Sequence, residues 1–172
     1  MRIVSKHICN ITGLYDYAPF YFKLTNKFYA IKNKHNFNIY HKPCPVPIYL
    51  KDAVNITTIH DLIPLDFPSA TNINLAAYYK NIKSTLKYSD HIITVSKYSK
   101  KKIIERFGIN ENKIKVIYNT SLLKNEVYDA SLDYITNKIE KKFKLKYKEY
   151  ILFWGSIEPK KNIRRLIEAV LM

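Results

Sequence analysis

Apolar runs and helical patterns alternate along the chain from residue 54 onward. Four runs of β-branched and aromatic residues have the pattern of buried strands, and they are Val54–Ile59, His91–Val95, Ile114–Tyr118 and Tyr150–Trp154. Apolar residues spaced three and four apart predict helices over Asn74–Ser89, Ser96–Gly108, Ser131–Phe143 and Asn162–Met172. This alternation predicts an α/β fold with a mainly parallel sheet that is covered on both faces.

Polar residues stand directly after each predicted strand. In chain order they are His60 and Asp61, Ser96, Asn119, and the pair Gly155 and Ser156. In open α/β sheets, ligands bind in the crevice beyond the carboxyl ends of the strands. The positions of these residues therefore predict a ligand-binding cleft at that end of the sheet.

Residue types alone leave more than one interpretation open at these positions. The position of His60 is equally compatible with a histidine whose ring is hydrogen-bonded within a loop and with one that contacts a ligand. An aspartate at such a position, like Asp61, more often stabilises a turn by accepting backbone N–H bonds than takes part in a reaction. Ser96 is most simply a helix N-cap, although the helix start and the lysines that follow it also favour an anion.

The segment GSIEPKKN, residues 155–162, has the features of an anion site. A predicted strand ends, Gly155 opens a turn, and Lys160 and Lys161 precede a helix whose first amides are unpaired. Free N–H groups and ammonium groups that converge in this way suit a diphosphate. The segment has neither the GxxxxGK[ST] spacing nor a GxGxxG pattern, so these residues alone do not identify the ligand.

Length and charge widen the choice of partners. The chain has 172 residues, of which 47% are hydrophobic, enough to bury the core of about one domain. Its 29 Lys and Arg against 14 Asp and Glu give a formal charge of +15. Such a charge attracts nucleic acid, anionic lipid or phosphorylated small molecules. The lysines are spread along the chain, so a solvated basic surface is an equally good interpretation.

Neither a membrane span nor a metal site is predicted. No apolar run approaches the ~20 residues that cross a bilayer, and the N-terminus is too polar for a secretory signal. Two cysteines, Cys9 and Cys44, make no disulfide framework, so the predicted compartment is a reducing cytoplasm. The pairs His7-x-Cys9 and His41-x-x-Cys44 match no common zinc spacing, and no metal is expected.

Two rival chemistries have less support. Ser96, His60 and Asp61 are the residue types of a hydrolase triad, but no G-x-S-x-G elbow is present. His60 and Asp61 are also sequence neighbours, which places them badly for one to brace the other. Nucleic-acid binding is supported only by charge and tyrosine content, and without a recognised motif no nucleic-acid partner is predicted.

Three segments in order resemble the retaining glycosyltransferases of family 4. They are TTIHDLIPLDFP (57–68), YSDHIITVSKYSKKKIIERFGINENKIKVIYN (88–119) and YILFWGSIEPKKNIRRLIEA (150–169). The resemblance spans residues 37–172 and is strongest to bacterial mannosyltransferase-like members that build lipopolysaccharide or capsular glycans. These enzymes have the GT-B architecture, in which two Rossmann-like domains face each other across a cleft.

The resemblance implies transfer of a sugar, with retention, from a nucleotide-diphosphate-sugar donor to a glycan or lipid-linked acceptor, without a metal ion. His60 would be the catalytic residue, lining the cleft near the transferred sugar. Lys161 would neutralise the donor diphosphate and help the leaving group depart. The donor-binding set that the resemblance implies is Gly155, Ser156, Lys160, Lys161 and Ser96.

The chain departs from the family pattern in two ways. Ser156 stands where many relatives have an arginine, and Arg164 or Arg165 are the candidates to replace that contact. The glycine-rich loop of the family is not found before His60, and the E-x7-E region is absent. Residues 1–130 are therefore expected to be a partial acceptor-side domain, 131–149 a linker and helix, and 150–172 the truncated start, strand-loop-helix, of the donor-binding domain.

The expected function is that of a partial glycosyltransferase in cell-surface polysaccharide synthesis, inactive by itself. The alternative is a non-catalytic, acceptor-binding subunit that a donor-binding partner chain completes in trans. The positive charge is expected to allow peripheral contact with anionic lipid on the inner face of the cytoplasmic membrane, at about 1 kcal/mol per basic residue near the surface.

Overall fold

The computed structural model describes residues 13–120 and 131–172. Its chain forms two compact units, Met1–Tyr118 and Asn119–Met172, called here the first and second unit. The helices of the first unit are α1 (Leu14–Thr25), α2 (Ile63–Asp66), α3 (Leu75–Tyr88) and α4 (Lys97–Phe107). Its strands are β1 (Tyr29–Ile31), β2 (Ile39–Lys42), β3 (Ile48–Leu50), β4 (Val54–Thr58), β5 (His91–Thr94) and β6 (Ile114–Val116).

Every strand pair in the described chain is parallel. A four-stranded sheet has the order β2-β4-β5-β6, and β1 pairs with β3 in a separate two-stranded sheet. The register places Lys42 opposite Thr57, and Ile93 between Thr58 and Lys115. The predicted α/β, Rossmann-like class is confirmed, and β4, β5 and β6 lie within the first three predicted strands.

The predicted ends of α3 and α4 are confirmed by their capping bonds. The Asn74 side chain accepts a hydrogen bond from the Ala77 amide at 3.0 Å, and Ser96 does the same for the Ser99 amide at 3.0 Å. Gly108 ends α4 in the left-handed conformation, with φ of 60°. Side chains with a Cβ rarely adopt that conformation, which explains why a glycine terminates this helix.

One face of the four-stranded sheet carries the main core. Isoleucines of β5 and β6 pack against α3 and α4 there, and the buried members of this cluster are Ile59, Leu62, Ile82, Leu86, Ile92, Ile103 and Ile114. The β4-α3-β5 and β5-α4-β6 connections advance across the sheet in the same direction. Because crossovers between parallel strands are right-handed, both helices lie on the same face.

Within the described residues of the first unit, the expectation that helices cover both faces is wrong, because α3 and α4 pack on one face only. The opposite face, called here the open sheet face, consists of Ile39, His41, Val54, Ile56, Thr58, His91, Ile93, Lys115 and Ile117. Ile39 is 61% exposed, Val54 42% and Ile117 52%. A right-handed crossover places its helix on that face only when it runs across the sheet in the reverse direction. The connections from β4 to β5 and from β5 to β6 both run in the forward direction.

The second unit contains α5 (Leu132–Phe143) and α6 (Ile163–Leu171), which confirms both predicted helices. The strand predicted over Tyr150–Trp154 is wrong, since residues 150–154 have no strand structure. A strand needs a neighbour to satisfy its backbone N–H and C=O groups, and the described residues place none beside this segment. Instead Ile151 and Phe153 line an apolar groove of about 370 Å³ along α6.

Candidate functional site

His60 lies directly beyond β4, as the sequence predicts. The Ile59 amide still donates to the Ile93 carbonyl at 2.8 Å, and the chain leaves the sheet at the next residue. The His60 imidazole is exposed, and its Nε2 lies 3.2 Å from the carbonyl oxygen of Pro43, which follows β2. The imidazole is therefore presented at the carboxyl edge of two neighbouring strands.

Two serines connect His60 to the start of α4. The Ser99 hydroxyl donates to the His60 carbonyl at 3.0 Å, and the Ser96 hydroxyl donates to Ser99 Oγ at 2.9 Å. Ser99 is 6% exposed, so this link is shielded from solvent. The structure thus brings His60 and Ser96 together through Ser99. Sequence reasoning missed Ser99, and the Ser-x-x-Ser spacing at a helix start was the available signal.

Asp61 organises the turn after His60. Its Oδ1 accepts the Ile63 amide at 3.0 Å, and its carbonyl accepts the Tyr78 hydroxyl at 3.2 Å. Burial, with a smaller contribution from the charges of Asp61 and Asp66, raises the pKa of Tyr78 to about 12. Tyr78 therefore stays a proton donor throughout the physiological range and fixes this turn from α3.

Two further residues at the end of β2 belong to this edge. His41 Nε2 lies 2.9 Å from Thr58 Oγ1, at the last residue of β4. Lys42 is 1% exposed, and its ammonium donates to the Ile48 carbonyl at 2.8 Å and lies 5.2 Å from the centre of the Phe28 ring. Burial lowers the pKa of Lys42 to about 8, against a smaller opposing effect of Cys44. No sequence signal distinguishes Lys42 from the many surface lysines.

The predicted anion loop lies in the second unit. Gly155 has φ of 151°, and a Cβ there would meet Phe153 Cζ at 3.3 Å, so this turn favours glycine. The Ser156 hydroxyl donates to the Glu158 carboxylate, and Lys160 Nζ lies 2.9 Å from the other carboxylate oxygen. These bonds, that of Lys160 first, hold the pKa of Glu158 below its usual range. Ser156 and Lys160 thus organise the loop around Glu158.

Lys161 differs from Lys160 in its surroundings. Its amide donates to the Glu158 carbonyl at 2.9 Å in a turn that leads to Asn162, with φ of 52°, and then into α6. Its ammonium is exposed and makes no ion pair with any described residue. Arg164, one candidate for the missing arginine, pairs with Glu168 at 2.8 Å. Lys161 therefore contributes the least neutralised charge of this loop.

The site residues fall into two groups, one in each unit. His60 and Ser96 belong to the first unit, and the loop with Gly155, Ser156, Lys160 and Lys161 belongs to the second. Asn119 is exposed at the first residue of the second unit. Among the described residues, no three His, Cys, Asp or Glu side chains are grouped to hold a metal ion. His7 and Cys9 lie outside the described residues.

Known proteins match this chain over the first unit and beyond it. Residues 3–120 match Glycosyltransferase Family 4. Since the match covers more than half of the sequence, the chain belongs to this glycosyltransferase family. It is similar to O-antigen chain mannosyltransferase B of Escherichia coli, with 32% identity over 139 residues, which are 76% of this chain and 34% of that protein. The chain thus spans about a third of the length of this relative.

Within the described chain, no helix is long and apolar enough to cross a membrane.

Proposed function

We propose that this chain supplies acceptor-side and diphosphate-contacting parts of a retaining GT-B hexosyltransferase. The enzyme would transfer a sugar, mannose being the first candidate, from a nucleotide-diphosphate donor to a glycan or lipid-linked acceptor in cell-surface polysaccharide synthesis. Family membership and the similarity to a mannosyltransferase support the reaction class.

One observation carries the proposal. An exposed imidazole stands at the carboxyl edge of a parallel sheet, and its backbone is fixed from α3 by Tyr78 through Asp61 and from α4 by Ser99. This edge is where open α/β sheets bind ligands. A group fixed in this way can donate a hydrogen bond to a sugar without being reorganised first.

The charges of the second unit support a separate role. Departure of a nucleoside diphosphate leaves negative charge that a positioned cation stabilises. Lys161 fits this role better than Lys160, whose ammonium already pairs with Glu158. We assign Lys161 to the diphosphate, Ser156 and Lys160 to the loop that positions it, and no metal ion to the site.

A transfer assay tests these roles. The substitutions are made in the gene of the cells that produce the protein, and the extract of those cells, which keeps the acceptor, is supplied with labelled GDP-mannose. His60→Ala or Lys161→Ala should lower transfer by about 100-fold, the usual scale for a group that stabilises the transition state. Lys83→Ala, on an exposed part of α3, is the matched control. Full activity of His60→Ala would contradict the role of His60.

The second candidate is a non-catalytic, acceptor-binding subunit completed by a donor-binding partner chain. The exposed apolar groove along α6 favours it, because that groove is suited to packing against another element. In the same assay, this candidate predicts that His60→Ala and Lys161→Ala leave transfer unchanged. Both candidates predict no transfer by the purified 172-residue chain alone, and steady transfer by it would contradict both.

We also propose peripheral contact with the inner face of the cytoplasmic membrane. The formal charge of +15 supports it. Binding to vesicles that contain phosphatidylglycerol should exceed binding to neutral phosphatidylcholine vesicles and should fall as salt screens the attraction. Equal sedimentation with both vesicle types would contradict this proposal.

A further inference from the structure

A second cavity lies at the opposite end of the strands from His60. It has a volume of about 660 Å³ and is formed by the start of α1, β1, the loop 32–37 and the start of β2. The Val54 amide, at the start of β4, donates to the Asn38 carbonyl at 2.9 Å, so this loop ends at the amino edge of the sheet. The five residues of β4, about 16 Å of extended chain, separate that edge from His60.

Aromatic side chains dominate the walls of this cavity, which we call the aromatic pocket. Tyr15, Tyr29, Phe37 and Tyr40 line it. Tyr29 is held edge-on by the Tyr21 ring at 5.6 Å between ring centres. The Tyr40 hydroxyl makes no hydrogen bond to another described residue, and burial is the main cause that raises its pKa. The walls therefore combine flat apolar faces with hydroxyl groups that can donate or accept.

The rim of the aromatic pocket is cationic. Lys32, Lys34 and His35 line it, and no Asp or Glu is among the lining residues. Both lysines are exposed and make no ion pair with a described residue. A ligand with an anionic group thus meets positive charge at the mouth, at a pocket size in the range of about 300–1,000 Å³ that small-molecule sites occupy.

The loop that closes the aromatic pocket is fixed before any ligand binds. Asn33 Oδ1 accepts the Phe37 amide at 2.9 Å, and its Nδ2 donates to the Phe37 carbonyl at 2.8 Å. The same Nδ2 lies 3.2 Å from the Asp52 carbonyl, which anchors the loop to the chain before β4. An ordered loop lowers the entropic cost of binding.

We propose that the aromatic pocket binds a short anionic oligosaccharide, as a subsite remote from the reacting end of a glycan. Sugar rings present apolar C–H faces that pack on the aromatic walls, and their hydroxyls pair with the tyrosine hydroxyls. A phosphate or carboxylate substituent is held by Lys32 and Lys34 at the rim. The proposed function is needed only to identify the oligosaccharide as part of the acceptor glycan. The binding itself is inferred from the residues that line the pocket.

Binding is measured on the chain itself by amide chemical shifts and calorimetry. The probes are α-mannotetraose and the same tetrasaccharide carrying a terminal 6-phosphate. Both should shift the amides of the loop 32–37 and leave those around His60 in place. The phosphorylated probe should bind about tenfold more tightly, the scale of one charge-assisted hydrogen bond.

Matched variants separate the walls from the rim. Lys32→Ala with Lys34→Ala should remove the preference for the phosphorylated probe and keep binding of the neutral one, whereas Phe37→Ala should weaken both. Lys83→Ala, outside the pocket, should change neither, and amide spectra confirm that each variant folds.

Three results would overturn the inference: no shift of the loop amides with either probe, a preference that survives removal of both lysines, or displacement of the saccharides by decanoate, which would make this an acyl-chain pocket. Loss of transfer activity plays no part in this test, so its failure is distinct from failure of the proposed function.

Discussion

At the scale of single residues, Lys42 has the clearest consequence for stability. It is 1% exposed, and its only described polar partner is the Ile48 carbonyl. Burial lowers its pKa from 10.5 to about 8, so the folded state binds this proton less tightly than the unfolded state does. A shift of that size corresponds to about 3 kcal/mol of unfavourable charge burial below pH 8.

Lys42→Met should therefore stabilise the chain at pH 7. The gain should be about 1–2 kcal/mol, because the variant also loses a hydrogen bond worth about 1 kcal/mol. As pH rises from about 8 to 10.5, the natural folded state loses the proton first and gains stability, so the advantage of the variant should vanish. Urea unfolding at pH 7, 8, 9 and 10 measures this, with Lys83→Met as the exposed control. A difference that stays constant over this range would contradict the argument.

Ser99 is the residue through which α4 fixes His60. Its hydroxyl donates to the His60 carbonyl and accepts from Ser96, so Ser99→Ala should cost about 1–2 kcal/mol of the free energy of unfolding. The variant should also move the NMR signals of the His60 ring, because the backbone that carries it is released. The matched control is Ser69→Ala at an exposed serine. An unchanged His60 spectrum would show that Ser99 does not position the imidazole.

At the scale of elements, residues 150–154 show the limit of a local pattern. Their apolar character matches that of β4 and β5, but they lack a partner strand in the described chain. Hydrogen exchange should separate the two cases: the amides of Leu152 and Phe153 should exchange within minutes, and that of Ile92 should be among the slowest. Slow exchange at Leu152 would show that this segment pairs after all.

The same contrast explains how much the sequence could predict. The ends of α3 and α4 were predictable because Asn74, Ser96 and Gly108 act locally, through bonds within a few residues. Strands β1 to β3 were not predicted, since each has only three or four residues and none lies in a longer run of β-branched residues. The position of His60 followed from the strand before it. Ser99 joins the site only through its bond to the His60 carbonyl, 39 residues away in the chain, and Lys42 is distinguished only by its burial.

At the scale of the whole molecule, charge and apolar surface act against each other. The open sheet face exposes Ile39, Val54 and Ile117, and parallel sheets normally have both faces covered. The formal charge of +15 opposes association of two copies, because like charges repel until salt screens them.

The isolated chain should therefore be monomeric at about 0.05 M salt and associate at about 0.5 M, where the screening length falls to a few ångströms. Sedimentation velocity measures this, and Val54→Lys with Ile117→Lys should keep the chain monomeric at both salt concentrations. Ile73→Lys, at an isoleucine that is 49% exposed before α3, is the control and should still associate. Association that survives the double variant would exclude the open sheet face as the contact. A monomer at both salt concentrations in the natural chain would show that charge repulsion outweighs the exposed apolar surface even when it is screened.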